Sequence, residues 1–267
     1  MCCAWYQVAY IEVQGRCVLA IATSLGIQLW SLNGDQLVFN YKLNSQSNYN
    51  DEDDDDDERF MKGIALCTDF LCVGCSNGNI VIFNCSGKGD WNNFPISYNV
   101  RTDHQVPISA MAATDALLVT GNDTGTIMAH SLESHFRCVF TFPGCGSPCT
   151  CVCQTENLIC AGFATGHLRL FRSDIKELVF EITAHTRAVT GMTLNHAHTE
   201  LAVCSKDQHI NVWSLPSFES RETSDISLLY ADCAENKICT GIAYLSNEQL
   251  CVAFYDEEEL QVFKRLK

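Results

Sequence analysis

A short unit recurs six times along the chain: an apolar strand, a tight turn, and a second strand ending in an aromatic or similar residue. The copies are SLGIQLW at 24–30, SNGNIVIF at 76–83, DTGTIMAH at 123–130, ATGHLRLF at 164–171, KDQHINVW at 206–213 and DEEELQVF at 256–263. Their terminal residues, Trp30, Phe83, His130, Phe171, Trp213 and Phe263, lie 53, 47, 41, 42 and 50 residues apart. Helix-period patterning is nearly absent. A repeat of about 40–45 residues holding several short strands is the period of a propeller blade of the WD type. The expected fold is therefore all-β, a WD-repeat β-propeller with six visible blades in a single domain over residues 1–267. Four copies carry Gly four or five residues before the terminal position, where a tight turn calls for positive φ.

Further strands follow from the same pattern. In the second blade the first two strands read Met61 to Cys67 and Phe70 to Ser76. In the fourth they read Cys149 to Gln154 and Leu158 to Phe163, with an outer strand at Leu178 to Ile182. Alternation is imperfect in the inner strands, as expected of sheets packed on both faces.

The 53-residue spacing holds the run Asp51–Glu58, eight consecutive acids that supply about half of the net charge of −15. It reads as an insertion in an inter-strand loop, at about 44–60, solvated and extended by self-repulsion. A calcium loop would need a D-x-D-x-D-G spacing that it lacks. A chain this acidic is a poor match for nucleic acid, whose phosphates call for a basic surface. The best apolar stretches, Cys17 to Trp30 and Val106 to Val119, fall short of the roughly 20 residues of a membrane span. Glu12 interrupts the N-terminal apolar stretch and no basic region precedes it, so no secretory signal is visible. The 17 cysteines are odd in number and scattered among apolar residues. They read as free thiols in a reducing, cytoplasmic setting, and the sequons at Asn84 and Asn122 then carry no information. Met1-Cys2-Cys3 is a weak lipidation candidate.

The fifth unit concentrates polar residues. His185 precedes its first strand, Ser205 and Asp207 end its second, and Trp213 ends its third. This spacing matches a WD-repeat relay in which His, Ser, Asp and Trp are buried and joined by hydrogen bonds, as buried polar groups require. A hydrolytic Ser-His-Asp reading fails because no nucleophile elbow surrounds Ser205. The third unit keeps His104 but has Thr124 and His130 where Asp and Trp would stand, so the relay is expected to be lost there. Cys145, Cys149, Cys151, Cys153 and Cys160 invite a metal reading. The alternation Cys149-x-Cys151-x-Cys153, however, puts all three on one face of a strand, as small buried side chains. No metal or cofactor is expected.

Several segments together carry a resemblance. FLCVGCSNG at 70–78, DHQVPIS at 103–109, PGCGSPC at 143–149, AGFATGHLRLF at 161–171 and TAHTRAV at 183–189 resemble the family of WD repeat-containing protein 54, in order and over nearly the whole chain. PGCGSPC is the most telling because it is not part of the general WD pattern, whereas the acidic run is a departure. The resemblance implies a non-enzymatic, intracellular WD-repeat scaffold acting through contacts with other proteins. The alternative is a cysteine-rich redox or metal-responsive protein. The resemblance also implies sequence N-terminal to Trp5, enough for another blade. With the last blade short of its outer strand, the expectation is a truncated seven-bladed propeller. Inter-blade and turn loops would form the partner face, which makes His104, Gln105, Arg187 and Lys206 the partner-binding candidates.

Overall fold

The computed structural model describes residues 5–13, 15–42, 61–85, 97–100, 104–217 and 225–264. The acidic run and Cys2-Cys3 lie outside them. Alternating, β-branched and aromatic-rich segments separated by Gly, Asn, Asp and Ser turns form antiparallel meanders. The chain groups into two compact units, residues 1–144 and 145–267.

The first unit holds three four-stranded sheets. The first sheet is β1 (Trp5–Val13), β2 (Arg16–Thr23), β3 (Gly26–Ser31) and β4 (Leu37–Lys42). The second is β5 (Met61–Cys67), β6 (Phe70–Cys75), β7 (Ile80–Asn84) and β8 (Ser97–Val100). The third is β9 (Ile108–Ala113), β10 (Leu117–Asn122), β11 (Ile127–Ser131) and β12 (Arg137–Phe142). Each strand pairs with its neighbour in sequence. One apolar cluster joins the first two sheets through Ile27, Leu29, Leu71, Val73 and Phe83, and a second joins the second and third through Cys72, Ile80, Ile82, Ile108 and Leu118.

The second unit repeats the plan. The fourth sheet is β13 (Cys149–Gln154), β14 (Leu158–Phe163), β15 (His167–Arg172) and β16 (Glu177–Thr183). The fifth is β17 (Val189–Leu194), β18 (Glu200–Ser205), β19 (His209–Ser214) and β20 (Leu228–Cys233). The last has three strands among the described residues, β21 (Cys239–Ser246), β22 (Gln249–Phe254) and β23 (Gln261–Lys264). Leu158, Leu168, Leu170, Leu201 and Val203 fill the space between the fourth and fifth sheets, and Ala202, Ile210, Leu250 and Val252 that between the fifth and sixth. All six terminal residues of the recurring unit fall on the third strands of their sheets.

Two turn glycines show why the repeat demands them. Gly78 (φ +82) and Gly166 (φ +85) sit in left-handed backbone, and a Cβ on either would lie 2.2 Å from a carbonyl oxygen, that of His104 or of His185. Each glycine thus lets the turn of one sheet close onto the loop that enters the next.

The cysteine strand differs from its sequence reading. A bulge at Thr150 shifts the register, so that Cys153 faces Cys160 and Cys151 faces Gly162 while Cys149 faces Phe163. Gly162 and Phe163 point to opposite sides of β14, so Cys149 leaves the face shared by Cys151 and Cys153. A bulge inserts one residue and reverses the alternation beyond it.

Candidate functional site

In the third to sixth sheets, the loop that enters the first strand and the turn between the second and third strands meet at one end of the sheet. In the fifth sheet they are joined by polar groups. Asp207 is the centre. Its carboxylate accepts the Thr186 N–H at 2.8 Å and the His209 N–H at 3.0 Å, and faces His185 Nδ1 at 3.1 Å. Burial alone would raise the Asp207 carboxyl, yet these donors hold it below its ordinary value. Burial lowers His185 despite the neighbouring carboxylate, so the ring is neutral at pH 7. A neutral ring facing a carboxylate carries its proton on Nδ1, which leaves Nε2 as an acceptor. Asn211 Nδ2 stands 3.5 Å from that Nε2 and donates to the Ala184 carbonyl at 3.0 Å.

Ser205 and Trp213 do not join His185 in a relay. The Ser205 hydroxyl donates to the Arg187 carbonyl at 3.0 Å and accepts the Asp207 N–H at 3.2 Å. Trp213 Nε1 is buried and has no hydrogen-bond partner among the described residues. The third sheet shows why. There His104 Nε2 lies 2.8 Å from Thr120 Oγ1, which lies 3.2 Å from His130 Nε2. In the ladders, His130 stands opposite Leu118 and Trp213 opposite Leu201. Two residues on, the bridging Thr120 therefore corresponds to Val203, which has no hydroxyl. Ser205 corresponds instead to Asn122.

The third sheet thus keeps a complete network that the residue types had hidden. Asn122 Oδ1 accepts from the Thr124 N–H (3.0 Å), the Thr124 hydroxyl (2.8 Å) and the Thr126 N–H (2.9 Å). Its amide Nδ2 must then be the atom 2.9 Å from His104 Nδ1. That nitrogen is the unprotonated one, so Nε2–H donates to Thr120 and the Thr120 hydroxyl donates onward to His130. The expectation that this sheet had lost its relay is corrected: His130 replaces Trp as the terminal partner, and Asn122 replaces a carboxylate as the turn anchor. The amide and the second histidine run the chain of bonds in the opposite direction and without charge: Asn122 donates where a carboxylate would accept, and His130 accepts where an indole N–H would donate. The signal was available in the pairing of His104 with a Thr on β10, read in ladder register rather than by counting from the terminal aromatic.

The partner-binding candidates separate accordingly. His104 is 4% exposed and occupied inside, so it does not face solvent. Gln105 is exposed on the first unit, and Arg187 and Lys206 are exposed on the second. Four cysteines of the fourth sheet are held protonated. Burial pushes Cys151 up to about 11 and Cys160 to about 12, and raises Cys149 and Cys153 well above the ordinary thiol value. Among the described residues no three His, Cys, Asp or Glu side chains are grouped to hold a metal ion, and no helix is long and apolar enough to cross a membrane.

A family model described as WDR54 matches residues 3–266. The chain belongs to that family. Human WD repeat-containing protein 54 is 26% identical over 96% of this chain and 77% of its own length, and the mouse protein is 24% identical over the same shares. Solved structures agree on the fold. A chain of the mitotic checkpoint complex superposes with a TM-score of 0.76 at 13% identity, covering 98% of this chain and 73% of that one. The β-propeller domain of Myceliophteria thermophila Cps50 (Swd1) gives 0.72 at 13% identity, covering 98% and 84%. The fold is the WD-repeat β-propeller, with six blades among the described residues. The groups around Asp207 and Asn122 tie loops within their blades, and Gln105, Arg187 and Lys206 stand exposed on such loops.

Proposed function

We propose that the chain is a non-enzymatic, cytoplasmic scaffold whose rim loops engage other proteins, with no nucleic-acid partner and no cofactor. The observation that carries this reading is the division of labour in the fifth blade. The residues able to do acid–base chemistry, His185, Asp207 and Ser205, are spent on holding two loops together. Arg187 and Lys206 on those loops are presented outward on a fixed backbone, since Lys206 N–H also donates to the Ala188 carbonyl at 3.0 Å. Rigid loops on packed sheets supply preformed surfaces for contact. Membership in a WD-repeat family supports the same reading. A redox or metal-responsive role at the fourth blade is disfavoured by Cys149, Cys151, Cys153 and Cys160, whose burial holds them protonated.

Proximity labelling of the protein in cells, compared with Arg187→Glu and with a deletion of residues 51–58, tests the proposal. Loss of a common set of cytosolic neighbours in the Arg187 variant supports it. An identical neighbour set in all three proteins refutes the choice of surface, and labelling dominated by lumenal proteins refutes the location.

A further inference from the structure

In the second unit, three pairs of loop positions recur in register. Ser147, Arg187 and Lys237 each stand two residues before an inner strand, and Ala164, Lys206 and Tyr255 each follow a second strand. The pairs are tied alike: the Ala164, Lys206 and Tyr255 N–H groups donate to the carbonyls of Pro148, Ala188 and Ile238 at 2.9, 3.0 and 2.8 Å. The inner strands pack successively, β13 on β17 and β17 on β21, so the three pairs form one rim.

The rim is chemically uneven. Over the fourth blade the loops read CGSP at 145–148 and ATG at 164–166, without a charge. Over the fifth, the exposed charges are Arg187 and Lys206, because the Asp207 side chain is only 7% exposed and engaged by backbone N–H groups and His185. Neither cation has an ion-pair partner among the described residues, in a protein whose net charge is −15. Ser147 adds an independent sign of a missing occupant. It is 7% exposed, and its hydroxyl has no hydrogen-bond partner among the described residues. A buried hydroxyl without a partner is a cost that a bound group removes. Over the sixth blade the sign reverses. Lys237 is paired with Glu257 at 3.3 Å, and Glu235, Asp256, Glu258 and Glu259 lie within two residues of the pair in sequence.

We propose that the rim over the fourth and fifth blades docks an acidic peptide segment of a partner protein. One carboxylate takes the Arg187 fork, a second lies at Lys206, and the peptide backbone crosses the small residues at 145–148 and 164, where a small shift of the loop beside Gly146 uncovers the Ser147 hydroxyl to it. The planar guanidinium suits a bidentate carboxylate. The acids of the sixth blade set the register, since they repel any carboxylate that extends past Lys206. The chain's own net charge does not prevent this, because at physiological ionic strength charges more than about 8 Å away are largely screened. This inference rests on the scaffold reading and names its partner chemistry.

The test selects from a random dodecapeptide library on the immobilised full chain at 150 mM NaCl, then measures one labelled selected peptide by anisotropy. Asp and Glu should be enriched among selected peptides. Affinity should fall at least about tenfold in Arg187→Gln/Lys206→Gln, equivalent to 1.4 kcal/mol, and by a smaller factor in Ser147→Ala. Both cations are exposed, so the charge-neutral variant keeps its fold, and a melting curve verifies this. Neutral or basic peptides that still need Arg187 and Lys206 overturn the acidic chemistry while leaving the rim as a partner surface. Peptides indifferent to both substitutions, or no enrichment, overturn the docking site itself.

Discussion

Val203→Thr should stabilise the protein, against the usual effect of that exchange. Putting a hydroxyl into an apolar core generally destabilises, because the group loses its water partners. Here two groups wait for it. Trp213 Nε1 is a buried donor with no partner among the described residues, and Trp213 packs on the cluster that contains fully buried Val203. His185 Nε2 is an acceptor whose one close donor among the described residues is the Asn211 amide at 3.5 Å. The third blade shows the completed arrangement, with Thr120 Oγ1 2.8 Å from one ring nitrogen and 3.2 Å from another. Threonine at 203 accepts from Trp213 and donates to His185. Relieving an unsatisfied buried donor is worth about 1–3 kcal/mol. Two bonds at about 1 kcal/mol each, less the desolvation of the new hydroxyl, leave a net gain of about 1 kcal/mol. For a domain of this size that is roughly 2–4 °C in Tm. The assay is thermal unfolding of four proteins: wild type, Val203→Thr, Trp213→Phe and the double variant. The gain should vanish in the Trp213→Phe background, where no indole N–H remains. A fall in Tm, or an equal change in both backgrounds, refutes the correspondence of Val203 with Thr120.

Three further outcomes follow from the same geometry. Asn122→Leu removes four hydrogen bonds at a 3%-exposed site and should cost about 3 kcal/mol in denaturant titration, against about 1 kcal/mol for Thr124→Ala; equal costs would show that the amide does not anchor the turn. Stability should decline on acidification, because both His185 and Asp207 are held below their ordinary values of 6.5 and 3.8. Their contributions are complete above those values and are lost as pH falls through the folded ones, so His185→Gln should flatten the upper part of the curve, and an unchanged profile would contradict the neutral ring. In timed alkylation of the native protein, exposed Cys138, Cys145 and Cys233 should label before buried Cys149 and Cys160; early labelling of the buried pair would revive a redox role.

The third strands were the legible part of the fold, because their turn glycines and terminal aromatics are imposed by geometry that recurs. β5, β13 and β14 also lie where the pattern put them, and the signal is clearest in β14, whose six residues are all buried. Fourth strands such as β12 and β20 are largely solvent-facing, and so leave little pattern; β16 alone was read, at 178–182. The site was harder. His185 and Asp207 are brought together as spacing suggested, but Ser205 was matched to the wrong ladder position. Counting back from Trp213 does not tell which residue of β18 points at the ring, whereas pairing register does. Asn122 and Thr120 went unread for a related reason: an uncharged network has no distinctive residue types, and its meaning lies in who faces whom. Cys149 was misplaced by one inserted residue, a bulge that composition does not reveal.

The strict neighbour-to-neighbour pairing within each sheet also bears on how the chain reaches its native state. Every ladder joins segments separated by a single turn or loop, so each sheet can form once its own stretch of about forty residues is available. Short closures carry small entropy costs and favour fast assembly. As the chain emerges from the ribosome, a sheet can pair its strands before the next is synthesised, and the slow steps are those in which finished sheets meet. A lesion in one turn, such as Gly166→Ala, should then stall assembly at that sheet and leave the pairing of earlier ones intact, a pattern that pulsed hydrogen exchange resolves segment by segment.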